Sequence, residues 1–327
     1  MVNANIESTK NENINADVSM HDDRPLLIGV SARALFNLDE ETSILETRGL
    51  QAYRKYQKEH RNECLKPGIA YRFIQRMLAL NALDDDKPPL VEVAILSHMD
   101  PDTACRAMKS LESLNLNIGL SAFTSGGSLT PYIRSYGVRL YLSMDADNVR
   151  EAVNAGLPAG QIMSTHAITE HDTDDGEIRI AFDFDGILAS DDSEKLFQTG
   201  GLNAFNKNEK EHADIPMKPG PMAPFLRSLS LIQKAERNYQ KTHSDYKQRL
   251  RIAIVTARDA TSGVRVMSTL DAWNIQVDDA FYMSGHNKNM MLQAFKPHLF
   301  FDDSPKHIDR AKSMVTSVHV PFGIANQ

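Results

Sequence analysis

The sequence predicts an α/β protein built on a parallel sheet and arranged as two related halves. Three observations carry this. Short apolar runs alternate with segments of helical period, the pattern of strands joined by crossover helices. The chain resembles itself, without a gap, when shifted by 159 positions. And the apolar run that opens the second half, at Ile180, ends in Asp183-Phe184-Asp185-Gly186. Strand side chains alternate faces, so Asp183 and Asp185 are expected to point the same way at a strand end. Crowding like charges there is costly unless a cation or a reaction intermediate uses them. Gly186 lets the backbone turn sharply and come close to a ligand.

Composition narrows the classes. With 327 residues the chain can bury a large core and is long enough for two domains. A net charge of −7 argues against a nucleic-acid polymer as partner, while a small phosphorylated ligand in a local positive pocket remains compatible. Two cysteines, Cys64 and Cys105, make no disulfide framework, which fits a reducing, cytoplasmic setting. No run of about 18 apolar residues predicts a membrane span. The start of the chain lacks the basic and apolar stretches of a signal peptide. Residues 1–24 are polar, rich in Asn, Asp and Glu, and read as a disordered tail.

In order, Leu26 to Val30 is the first strand, ending in Ser31-Ala32-Arg33. A polar helix is expected from Glu40 to Arg61, then a turn at Lys66-Pro67-Gly68. Ala70 to Leu83 carries Phe73, Met77, Leu78 and Leu80 at helical spacing. After a charged turn from Asp84 to Pro89 come a strand (Val91–Leu96), a helix (Pro101–Leu114), and a short strand running into a Gly-rich loop (Ala122–Gly127). Another strand (Val138–Leu142) and a helix (Asp145–Ala155) follow. The polar stretch from His166 to Glu177 reads as a linker, and His166, His171 and Asp172 within it as solvated rather than metal-binding. Beyond the Ile180 strand lies a long insert, about 191–250, with a Gly/Pro-rich turn at Lys218 to Pro221 and an amphipathic helix from Met222 to Gln240. Strands are then expected at Arg251–Val255, Ala280–Met283, His298–Phe301 and Val318–Val320, with helices at Ser262–Trp273 and Lys306–Met314.

The internal repeat shows what each half keeps. At the shift of 159, Asp100 falls on Asp259, Arg106 on Arg265, Met108 on Met267, Asn115 on Asn274 and Ser125-Gly126 on Ser284-Gly285. The opening strands match at a slightly different offset, IGVSARALF on IAFDFDGIL. The differences concentrate in polar groups. Ser31 stands for Asp183, Arg33 for Asp185, Leu129 for Lys288, and Ser143-Met144 for Asp302-Asp303, while Ser97 keeps the hydroxyl of Thr256. The first half therefore keeps the scaffold and loses the carboxylates and the lysine. One half is expected to be active and the other degenerate.

In a parallel sheet, ligands bind beyond the carboxyl ends of the strands. Asp183, Asp185, Thr256, Lys288, Asp302 and Asp303 all fall at or just after such ends. Taken singly, Thr256 reads as a hydroxyl bonding its own turn and Lys288 as a surface lysine. Together they form a set suited to phosphoryl transfer: carboxylates for a hard cation, a hydroxyl and an ammonium for phosphate oxygens.

In this order the residues resemble the four motifs of haloacid dehalogenase superfamily phosphatases: DFDGI at Asp183, then Thr256, Lys288 and Asp302-Asp303. SARALFNLDEE, GLQAYRKYQKEH, IVTARDATSGVRV, PHLFFDDSPKHI and HVPFGI further resemble the cytosolic 5′-nucleotidase type I family, from Pro25 to the C-terminus. DFDGI departs from the DGDAV of family members by exchanging bulk around the first aspartate. The resemblance implies a haloacid-dehalogenase-like Rossmannoid parallel sheet with a cap insert at about 191–250. The catalytic half would span 178–327, after a related degenerate α/β half at 25–164 and a linker at 165–177.

The resemblance also implies Mg²⁺-dependent hydrolysis of nucleoside 5′-monophosphates through an aspartyl-phosphate. Asp183 would be the nucleophile and Asp185 the general acid–base. Thr256, Ala257 and Lys288 would hold the phosphate. Asp183, the backbone carbonyl of Asp185, and Asp302 or Asp303 would hold the metal. Phe197 and Phe205 in the insert are candidates to face the base. Two alternatives stand beside this reading: a phosphatase or phosphotransferase acting on another small metabolite, and a non-catalytic nucleotide-binding regulator. A regulatory nucleotide and a homo-oligomer are left open.

Overall fold

Leu26–Val30 (β1) and Ile178–Phe182 (β6) are wholly buried along their length, as expected of central strands in a parallel sheet. Two long helical segments follow each before its neighbouring strand, with an extra short turn of helix after β1. The computed structural model describes residues 24–83, 88–163 and 175–326. Residues 1–23 of the expected tail at 1–24, residues 84–87 of the charged turn at 84–89, and the linker residues His166, His171 and Asp172 lie outside the described residues.

In the first half β1 leads through a short turn of helix (α1, Ala32–Leu35), a long helix (α2, Asp39–Glu59) and α3 (Tyr71–Ala79) to β2 (Val91–Ser97). Then come α4 (Pro101–Ser113), β3 (Leu120–Phe123), α5 (Thr130–Tyr136), β4 (Leu140–Ser143), α6 (Ala146–Asn154) and β5 (Ala159–Ile162). The second half runs β6, α7 (Asp192–Glu211), α8 (Ala223–Gln240), β7 (Leu250–Thr256), α9 (Gly263–Ala272) and β8 (Asp279–Tyr282). It finishes with α10 (Asn289–Phe295), β9 (Leu299–Asp302), α11 (Pro305–Ala311) and β10 (Ser317–His319). The strands form one ten-stranded sheet in the order β3-β2-β1-β4-β5-β10-β9-β6-β7-β8. Within each half every pairing is parallel, and the halves share one strand order. They meet where β5 pairs antiparallel with β10, Ile162 opposite Val318 and Gln161 opposite His319. The strands of one half thus run opposite to those of the other.

The repeat reaches backbone conformation. Asn115 and Asn274 both have left-handed backbone (φ 52° and 55°), as do Ser125 and Ser284 (52° and 48°). Gly49 interrupts α2 and Gly201 interrupts α7, with non-helical φ of 79° and 71°. Those two glycines are 152 positions apart, as are Lys66-Pro67-Gly68 and Lys218-Pro219-Gly220. The stretch expected as an insert at 191–250 therefore has a counterpart in the first half, and it divides in two. Helix α8 buries Phe225, Leu226, Leu229 and Ile232, a helical stripe, against the sheet. Phe225 meets Phe182 edge-on at 6.0 Å and Phe301 at 5.9 Å. It is a sheet-covering crossover helix. Helix α7 instead stands over the end of the sheet, where Phe205 and Glu209 meet Arg258.

Alternation along the strands sorts the core onto two faces. Ile180, Phe182, Ile252, Ile254 and Phe301 join the large cluster shared by both halves. Ala181, Ala253, Val255 and Phe300 pack instead with Leu292 and Phe295 of α10 and with Ala311. Full burial of each large side chain stabilises by about 1.5–3 kcal/mol. The central strands are fixed from both sides, and their carboxyl ends are held with them.

Candidate active site

Register places the first two acids side by side. Phe182 of β6 pairs with Phe301 of β9, and the Asp183 amide donates to the Phe301 carbonyl at 2.8 Å. Asp183 and Asp302 consequently emerge together at the carboxyl end of the sheet. Lys288, at the start of α10 and only 3% exposed, lies between them. Its Nζ is 2.8 Å from Asp183 Oδ2 and 2.7 Å from Asp302 Oδ2. Burial works against the Lys288 charge, but the two carboxylates outweigh it and hold the ammonium above its ordinary pKa.

Asp302 is fully committed. It accepts from Lys288, from the Ser304 amide at 2.8 Å, and lies 3.1 Å from His307 Nδ1. Burial pushes its pKa up, but Lys288 and His307 outweigh this, so the net direction is down. Asp183 goes the other way: burial raises it, Lys288 only partly offsets that, and Asp302 adds to the rise. Its Oδ1 accepts from the Phe184 amide at 2.7 Å, which fixes the carboxylate plane. Asp303 is 6% exposed, and among the described residues no other residue donates a hydrogen bond to its carboxylate. Burial, then Asp183 and Asp302, push its pKa up to about 9. Gly186, at φ 74°, passes directly over it, and a Cβ there would collide with Asp303 Oδ2. The C-terminal turn closes the other side, where His319 Nε2 lies 3.1 Å from the Asp303 carbonyl and Asn326 Nδ2 donates to it at 3.0 Å.

Three buried carboxylates around one lysine carry more negative than positive charge. Asp303, which receives no hydrogen bond from another of the described residues, is the carboxylate best able to take a cation as ligand. Asp183, Asp302 and His307 also each offer a donor atom within 4.8 Å of the others. The ligand set is oxygen-rich, which suits a hard cation such as Mg²⁺.

The remaining predicted residues take distinct places. Thr256 ends β7 and is buried, and its hydroxyl accepts from the Arg258 amide at 3.3 Å. Ala257 is exposed, and its carbonyl receives the Gly285 amide at 2.8 Å. Asp185 does not stay beside Asp183. Strand β6 ends at Phe182, so alternation stops there, and the turn sends Asp185 to a different partner. That partner is Arg258, whose Nε and Nη2 bond the two carboxylate oxygens at 2.7 Å each. Phe205 is buried with its ring 5.2 Å from the Arg258 guanidinium. Phe197 is 43% exposed and stands edge-on to Phe205 at 6.2 Å, so only Phe197 of this pair presents a free face.

Sequence reasoning missed Arg258, His307 and Glu209. Arg258 and His307 lie two residues from Thr256 and five from Asp302, within stretches quoted for other members. Glu209 is visible only once α7 folds back onto the sheet end, where it pairs with Arg258 and, at 3.0 Å, with Arg265.

The acid–lysine–acid centre sits at the carboxyl end of a parallel α/β sheet, where such sheets bind their ligands. The model of the 5′-nucleotidase family matches residues 18–327, and the chain belongs to that family. It is similar to human cytosolic 5′-nucleotidase 1B, 30% identical over 294 residues that cover 88% of this chain and 47% of that protein. The chain thus spans about half the length of the curated relative it matches. No solved structure matches the chain. Among the described residues no helix is long and apolar enough to cross a membrane.

Proposed function

We propose that the protein hydrolyses nucleoside 5′-monophosphates to nucleoside and phosphate. The contact of Lys288 with both Asp183 and Asp302 carries this reading, together with the family. Asp183, the Asp185 backbone carbonyl and Asp303 would hold Mg²⁺, and Asp302 would instead anchor Lys288 and His307. Bound there, Mg²⁺ would neutralise the crowded carboxylates and the incoming phosphate charge.

The chain's own residues then divide the work. Asp183 attacks phosphorus, forming an O–P bond as the P–O5′ bond breaks. Asp185 supplies the proton that the departing 5′-oxygen takes up. Water next attacks phosphorus, Asp185 accepts its proton, and the Asp183–P bond breaks to release phosphate. Lys288, Thr256 and the backbone at Ala257 hold the phosphoryl oxygens as their charge shifts. In the haloacid-dehalogenase-like reading, α7 is the cap over the nucleoside, with Phe197 the ring free to meet the base.

A panel of AMP, IMP, CMP and deoxynucleotides against sugar phosphates, with Mg²⁺, tests the substrate class. Phosphate release from the nucleotides is expected, and preference for sugar phosphates would overturn that part. Asp183→Asn tests catalysis itself: turnover is expected to vanish while nucleotide binding survives.

A further inference from the structure

Arg258 is the most constrained side chain near the site that the proposed chemistry does not use. It is 4% exposed, forks onto Asp185, reaches Glu209 of α7 with Nη1, and touches Met217 Sδ at 3.4 Å. Its guanidinium lies between the rings of Phe184 and Phe205, at 5.7 and 5.2 Å. Burying a cation this completely is costly unless all its donors are met. Here two carboxylates, a carbonyl of Ser262 and two ring faces meet them. One of the two carboxylates lies on α7 and the other in the turn after β6.

The first half is an internal control for what this costly group is for. Arg265, which also bonds Glu209, has a counterpart in Arg106, whose Nη1 lies 3.5 Å from Gln57, the counterpart of Glu209. Arg106 pairs chiefly with Glu41, at 2.6 Å, so what the first half keeps is the arginine at this position rather than its acid on the long helix. Arg258 does not survive: its counterpart is Met99, the counterpart of Asp185 is Arg33, and Glu209 has become the neutral Gln57. The arginine and both its acids are absent together from the half that lacks the acid–lysine centre.

We propose that Arg258 is a positioning residue: anchored on α7 by Glu209, it holds the Asp185 carboxylate by a two-point fork and sets where that carboxylate meets the leaving 5′-oxygen. This rests on the reading of Asp185 as proton donor. The fork fixes the plane of the ionised carboxylate, and one of its two bonds is given up when an Asp185 oxygen carries the proton for the 5′-oxygen. A displacement near 1 Å at such a group costs about 10²-fold in rate.

The first half also shows which replacements this backbone accepts. Arg258→Met and Glu209→Gln copy Met99 and Gln57. Each is assayed by kcat/KM on AMP and on its analogue with sulfur bridging C5′ and phosphorus, whose thiolate leaves without a proton. Arg258→Met is expected to lose about 10²-fold or more on AMP and less than about tenfold on the thio analogue. Glu209→Gln should lose in the same direction by less. Asp185→Asn should show the same leaving-group bias, and adding Arg258→Met to it should cost little more. Equal losses on both substrates, or none on AMP, overturn the proposal. If Arg258→Met lacks a cooperative melt, Arg258→Lys carries the same test, since it keeps the charge and gives up the fork. Asp183→Asn separates the two levels: retained turnover in that variant sinks the nucleotidase reading, whereas lost turnover with unbiased Arg258 variants sinks only the role of Arg258.

Discussion

The two halves build the same scaffold with and without an acidic centre, and the turns at their strand ends show how little the scaffold depends on it. Thr256 accepts from the amide two residues on at 3.3 Å, and Ser97 does the same with Met99 at 3.3 Å. Asp302 receives the Ser304 amide at 2.8 Å, and Ser143 receives that of Asp145 at 3.1 Å. A short polar side chain satisfies each turn whether or not it carries charge. Lys288 is 3% exposed and its counterpart Leu129 is 2% exposed, so one pocket accepts an ammonium or an isobutyl group. Asp183 and Asp303, whose carboxyls burial pushes up in pKa, are therefore held there at a cost to stability, whereas Asp302 is held by its partners.

The largest test of this comparison copies Ser31 into the second half. If Asp183 is the nucleophile proposed above, Asp183→Ser is expected to lower turnover by at least about 10⁴-fold. Its melting temperature should stay level or rise, because one of three crowded acids is gone. A marked fall in stability would mean that the acids belong to the scaffold. Next is Gly186→Ala, which has no room beside Asp303 and a backbone φ that disfavours a side chain. A turnover loss of about 10²-fold is expected from displacing that carboxylate.

In the other half, Glu41 and Arg106 form a buried pair at 2.6 Å. Glu41→Ala should cost about 3–5 kcal/mol of unfolding free energy by stranding Arg106. Turnover per folded molecule should change little, and a large loss would tie the first half to the chemistry.

A smaller effect concerns pH. The Asp303 pKa of about 9 in the metal-free fold lies above its unfolded value, so the fold binds the extra proton between them. Its contribution to stability is full below the unfolded pKa, near 4, and is lost as pH rises through about 9. Metal-free protein should thus lose stability from this group across that window. Mg²⁺ should restore about 2–3 kcal/mol when near a hundredfold over its Kd, more at pH 8 than at pH 5. Melting curves with EDTA and with Mg²⁺ read this directly, and an equal Mg²⁺ shift at both pH values would remove Asp303 from the metal site. The smallest effect is expected from Ser31→Asp with Arg33→Asp. Leu129 and Met144 still stand for the lysine and the last acid, so no activity should appear in a background carrying Asp183→Ser.

Most of the sheet is legible in the residues. The runs at Leu26, Val91, Ile180 and Arg251 are long and β-branched, and their strands lie within a residue or two of expectation. Strand β5, Ala159–Ile162, is not foreseeable: AGQI has little strand preference, and its partner is set by tertiary pairing at the join between halves. The short helices α5 and α10 are too brief to show a period. At the site, Asp183, Lys288 and Asp302 meet because register and strand ends place them; the strand ends can be read from sequence, while the pairing of Phe182 with Phe301 comes from the fold. The partnership of Asp185 with Arg258 cannot be, because it depends on where β6 stops and on how α7 closes.

The join has one more consequence. Strand β5 offers β10 only a short pairing, yet α3 packs on β6 and α8 packs on β1, and the large hydrophobic cluster runs through both halves. Each repeat is thus half of a shared interior and would leave an oily wall bare if made alone. A repeat without the acids still supplies one wall of that interior to the repeat that has them.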